Sequence, residues 1–336
     1  MLTRRRILST AGAILAACAI AAGPATAMAD PLKVGYLQFT SFGLINVAEA
    51  QQWFEEEGVD VELVLFDSGP PLLEAMIGGS IDIGALGGVP TLRTAAQQIM
   101  DLRVLSVVAD VSGPSKIVSQ NGIDSIEELR GKKVSIPWAT TQHYIVGQAL
   151  AQHGMTTDDV DLVQMEVLDA QGAFIAGRID AFAPAPSALD RVLEARKDSR
   201  VLFATSDFTD PFFVFDLWAA PGKIIDARLE DIQKVLRVFH GKSVPYFTSP
   251  DTAEAAALDL QNWLNKVVGA NLTAEQVQQQ IDALTFFNVD EVKQINTDGT
   301  LADMLKKQSE FLQEVGILDS LPDFDTLLDP RVIDGL

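Results

Sequence analysis

The chain predicts an α/β fold built on mostly parallel sheets flanked by helices, with a helical C-terminal extension. Residues 32–37 and 59–65 read as strands on either side of a helical segment carrying Leu44, Val47, Ala48 and Phe54, which makes a βαβ opening. Short apolar strands recur at 81–83, 104–109, 134–136, 162–163, 181–183 and 201–203, mostly with helical stretches between them. That alternation predicts parallel sheet covered on both faces. From about residue 225 the pattern is helical almost throughout, at 229–247, 252–268, 274–284 and 301–315. No internal repeat interrupts it.

The elements begin after a leader. Arg4, Arg5 and Arg6 precede an apolar run over 7–22, then come the Gly23-Pro24 breaker and Ala27-Met28-Ala29, the three parts of an export signal. At about 16 residues the run is short of the roughly 20 that span a bilayer. Residues 1–29 are therefore expected to be removed, leaving a chain outside the cytoplasm. Thr3-Arg4-Arg5-Arg6-Ile7-Leu8 also resembles a twin-arginine signal, and a general secretory leader has the same basic start. Leu15-Ala16-Ala17-Cys18 resembles a lipoprotein box that would tether the chain through Cys18. The apolar run continues past Cys18, so cleavage after Ala29 is the favoured reading.

Composition excludes several functions. With 25 Lys plus Arg against 46 Asp plus Glu, the net charge is −21, and loss of the three leader arginines takes it to −24. No nucleic-acid partner is expected, because phosphate binding needs a basic face. One Cys and three His cannot form a cysteine-rich zinc site, a disulfide framework or an iron–sulfur cluster, so no metal or cofactor is expected. An oxygen-ligand metal site stays open on composition alone. With 48 % hydrophobic residues there is ample material for a packed core.

Three loop-to-helix junctions stand out. Phe66-Asp67-Ser68-Gly69-Pro70-Pro71 leads into a helix at 72–76, and the segment 84–91, with Gly87, Gly88, Val89 and Pro90, leads into one at 92–98. The segment 136–144, with Trp138, Thr140, Thr141, His143 and Tyr144, leads into a third at 145–152. Each puts unpaired N–H groups and a positive helix end at the carboxyl edge of a sheet, where open α/β folds bind ligands. Converging on one cleft, they would bind an anion without Lys or Arg. Ordinary helix-start chemistry is the competing reading of each one alone. Ser125-Ile126-Glu127-Glu128 reads as a capping box of purely structural meaning. His153 and His240, within or at the ends of helical segments, read as surface residues.

Taken together, the leader, the βαβ start, Phe66-Asp67-Ser68-Gly69, Gly78-Gly79-Ser80-Ile81-Asp82-Ile83-Gly84, Gly131-Lys132-Lys133-Val134, Thr140-Thr141-Gln142-His143-Tyr144, Ile179-Asp180-Ala181 and Phe215-Asp216-Leu217-Trp218 carry a family likeness. The chain resembles the taurine and aliphatic-sulfonate type of periplasmic substrate-binding protein of ABC transporters. The resemblance implies a two-lobed type II binding-protein fold that closes on its ligand about a hinge. Lobe 1 would be 30–113 plus 220–336 and lobe 2 would be 114–219. It implies a sulfonate resting near Ser68, Gly88, Thr140 and Thr141, a ligand ammonium facing Asp216, and His143 and Tyr144 orienting the ligand or fixing the loop. The partners implied are a small sulfonate-like molecule and an inner-membrane permease and ATPase, served by a monomer.

Gly88-Val89 stands where the pattern has two serines, and Ala181-Phe182-Ala183-Pro184-Ala185-Pro186 stands where it has a Trp soon after Ile-Asp. An aromatic wall would then come from Phe42, Phe212, Phe213 or Trp138. These departures leave open a bulkier sulfonate, a carboxylate, an amine, nitrate or a pyrimidine, and a sensor subunit remains the rival role. The same fold resembles pyrimidine synthases of thiamine biosynthesis, whose cysteine-rich motif is absent. No nucleophile elbow, zinc-protease helix, Walker loop or dinucleotide fingerprint occurs, so no enzyme activity is expected.

Overall fold

The computed structural model describes residues 30–113, 115–185, 188–208 and 214–336. The leader with Cys18, together with Pro186, Phe212 and Phe213, lies outside the described residues.

The chain opens with β1 (Leu32–Leu37), α1 (Thr40–Ala50), α2 (Trp53–Glu57), β2 (Val61–Phe66), α3 (Gly69–Ile77), β3 (Ile83–Gly87), α4 (Gly88–Gln97) and β4 (Leu102–Asp110). A second group follows: β5 (Lys116–Ser119), β6 (Lys133–Ser135), α5 (Thr141–Gln152), β7 (Asp161–Val163), α6 (Val167–Ile175), β8 (Ala181–Phe182), α7 (Leu189–Ala195) and β9 (Arg200–Ala204). Then β10 (Phe215–Pro221) leads into α8 (Gly222–Val238), α9 (Val244–Thr248), α10 (Ala253–Trp263), α11 (Ala274–Asp282), α12 (Val289–Thr297), α13 (Thr300–Glu314), α14 (Phe324–Leu327) and α15 (Pro330–Asp334).

Two five-stranded sheets result, ordered β2-β1-β3-β10-β4 and β7-β6-β8-β5-β9. Each is mostly parallel with one strand reversed, β10 in the first and β5 in the second. β1 runs parallel to β2 and β3, and β6 to β7 and β8. β10 is antiparallel to β3 and β4, and β5 to β8 and β9. The reason is topological: β5 and β10 are the first strands after each crossing between the sheets. They enter from the edge where the parallel strands end, so they must run the other way. The crossings are bonded to each other, Val111 N–H donating to the Val214 carbonyl (2.8 Å) and Val214 N–H to Ser112 Oγ (2.9 Å). The expected boundary between residues 219 and 220 falls inside β10, which pairs along its length in the first sheet.

β3 and β10 are buried at every position, which demands a near-continuous apolar sequence. Ile-Gly-Ala-Leu-Gly satisfies this, so residues 84–87, expected in a loop, are strand. In β10 the one charged residue is Asp216, flanked by Phe215, Leu217 and the fully buried Trp218. The first core centres on Leu32, Val34, Ile83, Leu217 and Trp218, the second on Ile117, Val134, Ile145 and Leu150. Burying each such side chain is worth about 1.5–3 kcal/mol.

Two local expectations are corrected. The box at Ser125 does not form, because the segment tightens to a 3₁₀ turn over Glu127–Leu129 and Glu128 instead accepts the Asp124 N–H (2.7 Å). His240 is fully buried rather than at the surface, its ring nitrogens 2.9 Å from Ser106 Oγ and 2.7 Å from the Phe287 carbonyl. Burial pushes its pKa down to about 4. His153 stays partly exposed and pairs with Glu127 at 2.9 Å.

Candidate functional site

The ends of the strands from both sheets face one cleft. Leu37 closes β1, Ser68 follows β2, Gly87 closes β3, Val111 follows β4, Thr140 follows β6 and Val167 follows β7, and all six line it. Five helices begin there, α6 at Val167 among them. Thr40 and Ser41 of α1, Gly69 of α3, Pro90 of α4, and Thr141 and Gln142 of α5 form its wall. First-turn N–H groups have no partner inside their own helix and carry the positive end of its dipole. No Lys or Arg lines the cleft among the described residues.

Ser68 occupies the cap position of α3, where a serine hydroxyl normally accepts from the second or third helical N–H. Those positions are Pro70 and Pro71, which have no N–H. The Ser68 hydroxyl is consequently buried without a hydrogen-bond partner, at the cleft wall. Thr140 behaves differently: its hydroxyl donates to the Pro137 carbonyl (2.6 Å) and accepts from His143 N–H (3.4 Å), which caps α5.

Asp216 is held by register. It lies opposite Gly87 on one side and Ala109 on the other, so its carboxylate sits beside the start of α4. Ser41 Oγ donates to Asp216 Oδ2 at 2.6 Å. Burial pushes the Asp216 carboxyl up to about 7; the Ser41 hydrogen bond works against this, and the nearby Asp110 adds to it. Thr40 Oγ1 donates to Gln280 Oε1 (2.6 Å), bringing α11 to the same wall.

The structure gathers Ser68, Thr140, Thr141 and Asp216 at the cleft and leaves four expected residues away from its wall. Gly88 points elsewhere: a Cβ there would meet the Phe215 carbonyl at 2.8 Å, so Gly87 lines the cleft in its place. His143 lies behind the loop, where Nδ1 accepts the Ala139 N–H (3.2 Å) and burial pushes its pKa down to about 4. Trp138 is half exposed and stacks on the His143 ring at 4.5 Å. Tyr144 is buried edge-on against Phe311 of α13 at 5.4 Å. The aromatic wall comes from Phe39, since Phe42 is wholly inside the first core.

Sequence reading missed Phe39, Thr40, Ser41, Gln142, Val167 and Gln280 as cleft residues. The first three follow β1 as Ser68 follows β2, so the same strand-to-helix signal was present. Gln280 has no local signal, because its place depends on how α11 packs.

Two mixed α/β sheets sharing one cleft at their strand ends, joined by paired crossings, define the periplasmic binding protein class of fold. Solved structures agree. The periplasmic aliphatic sulphonate binding protein of Escherichia coli superposes with a TM-score of 0.68 at 21 % identity, covering 90 % of this chain and 92 % of the other. The alkanesulfonate-binding protein of Xanthomonas axonopodis pv. citri bound to MOPS gives 0.70 at 19 %, covering 90 % and 97 %. In sequence, the taurine-binding periplasmic protein of Escherichia coli is 28 % identical over 248 residues, 73 % of this chain and 74 % of its own length. The chain belongs to the NMT1/THI5-like family, which it matches over residues 39–253.

Proposed function

We propose that this protein is the extracytoplasmic solute-binding component of an ABC importer, capturing taurine or a related small organosulfonate and delivering it to a membrane permease. The observation that carries the reading is the division of charge within one cleft. Helix ends and the unpartnered Ser68 hydroxyl suit an anion, while Asp216 in the same cleft suits a cationic group of the same ligand. The chain's acidic field opposes a sulfonate, so capture draws on these short-range dipoles. The names of the relatives support the same class of ligand.

In this reading, the parts built on the two sheets close on the ligand, and the crossings at Val111 and Val214 form the hinge. Closure is what the permease detects, because the ligand favours the state in which both walls touch it. The leader directs the chain to the periplasm, and the protein acts by binding rather than catalysis.

A thermal-shift series with taurine, alkanesulfonates, isethionate, nitrate and small carboxylates tests this. A ligand at a hundred times its Kd adds about 2.7 kcal/mol to stability. The expected result is a rise with sulfonates. A rise with nitrate or carboxylates alone overturns the reading.

A further inference from the structure

A second, smaller chamber adjoins the cleft. Phe39 and Val167 line both spaces and form the partition between them. Phe39, immediately before α1, packs on Val167, Ala185 and Ala188, so this partition joins residues from the two sheets' surroundings. Val268 and Ala270 close the chamber from the side of the first sheet, and Leu168 closes it from the second.

Two amides break the apolar lining. Gln38 is 8 % exposed and Gln171 is 4 % exposed, and neither side chain has a hydrogen-bond partner among the described residues. Both amides keep atoms open to the chamber, so their donors and acceptors are free to bond a group that enters it. The one ionisable lining residue among those described is Arg191, an exposed side chain that donates to the Gly269 carbonyl at 3.3 Å. The chamber thus offers amide donors and acceptors and no buried charge. Its complement is a group that is uncharged and both donates and accepts.

Building on the sulfonate reading above, we propose that the physiological ligand is a sulfonate with a tail that passes Phe39. The tail ends in this chamber in an uncharged hydrogen-bonding group, a carboxamide or a hydroxyl, held by Gln38 and Gln171.

Isothermal titration with three probes tests it: ethanesulfonate, a six-carbon alkanesulfonate ending in methyl, and its counterpart of equal length ending in carboxamide. The carboxamide probe is expected to bind at least about tenfold tighter than the methyl probe. Gln171→Leu and Gln38→Leu each remove that advantage and leave ethanesulfonate unchanged. Ala270→Leu, which fills the chamber without touching either amide, weakens both long probes and spares the short one, and it decides the matter if a glutamine variant fails to fold. Equal affinities of the two long probes for the parent protein overturn the chamber's role while leaving the sulfonate reading intact. Loss of ethanesulfonate binding in a folded glutamine variant marks a structural role and overturns it as well. Failure of every sulfonate to bind removes the underlying reading, and the proposal with it.

Discussion

Thr141 Oγ1 lies 2.8 Å from the point that a Cβ on Gly87 would occupy. The two residues belong to opposite walls of the cleft, and Gly87 has an ordinary φ of −63°, so an alanine there meets no backbone strain. Gly87→Ala is therefore expected to obstruct the approach of the walls without unfolding either. The expected loss of ligand affinity is about tenfold, ~1.4 kcal/mol. Adding Thr141→Ala, which removes the clashing hydroxyl, should recover part of it, a coupling that a double-mutant cycle by titration calorimetry measures. Additive losses would place the effect elsewhere.

Ser68→Ala separates binding from folding. Because Pro70 and Pro71 leave the hydroxyl nothing to cap, its removal relieves an unpaired buried group. The ligand-free protein should be as stable as the parent or slightly more so in urea, while sulfonate affinity falls by about tenfold. A loss of stability alone would mark the hydroxyl as structural.

Asp216→Ala should discriminate between ligands. An amino-sulfonate loses a charge-assisted partner and is expected to weaken by about a hundredfold, ~2–3 kcal/mol. An alkanesulfonate without the amine has no such partner to lose. Equal losses for the two would remove the assigned role.

The pH dependence of stability should show opposing contributions. The Asp216 carboxyl, near 7 in the fold against an unperturbed 3.8, holds its proton more tightly when folded, so its contribution is full below about 4 and is lost as pH rises through about 7. His143 and His240, both held near 4 against 6.5, act in reverse: their neutral burial is lost as pH falls from 6.5 towards 4. Asp216→Asn should steepen the rise of stability between about pH 4 and 6.5 by roughly 1.4 kcal/mol per pH unit, and flatten the decline near 7. Denaturant unfolding across pH 4–8 reads both; a variant curve parallel to the parent's contradicts the burial of that carboxyl. In the parent, an ammonium-bearing ligand should bind more weakly as pH falls below about 7.

His143→Ala addresses the loop before α5. It leaves the Ala139 N–H without its acceptor and Trp138 without the ring beneath it, at a residue whose φ is +57°. The expected cost is about 1–3 kcal/mol of stability, with a parallel loss of affinity because Thr140 and Thr141 are held by that loop. Unchanged binding in the folded variant would detach the loop's anchor from the site.

Much of the cleft is legible because helix starts are local. The cap position of Ser68, the prolines after it and the cap at Thr140 depend on neighbours within three residues. The same logic misleads at residues 84–87, where Gly-Ala-Leu-Gly has the look of a turn and yet forms β3. A strand buried on both faces can be built from small residues as readily as from large ones. Gly88 misleads in another way: the helix start is real, but only the packing of β10 against α4 shows which of two adjacent glycines faces the ligand.

The sequence by itself determined the α/β layering, the helical C-terminal part, the acid excess and the junctions that supply N–H donors, since these follow from periodicity, composition and short-range capping. Tertiary structure decided the mixed sheets, the burial of His240 and the partners of Asp216. Ser41 and Asp216 are 175 residues apart, and Thr40 and Gln280 are 240 apart. Their meeting depends on strand register and helix docking, long-range terms that no local pattern encodes. The elevated pKa of Asp216 has the same origin: desolvation belongs to the assembled core, not to the Phe-Asp-Leu-Trp segment that contains it.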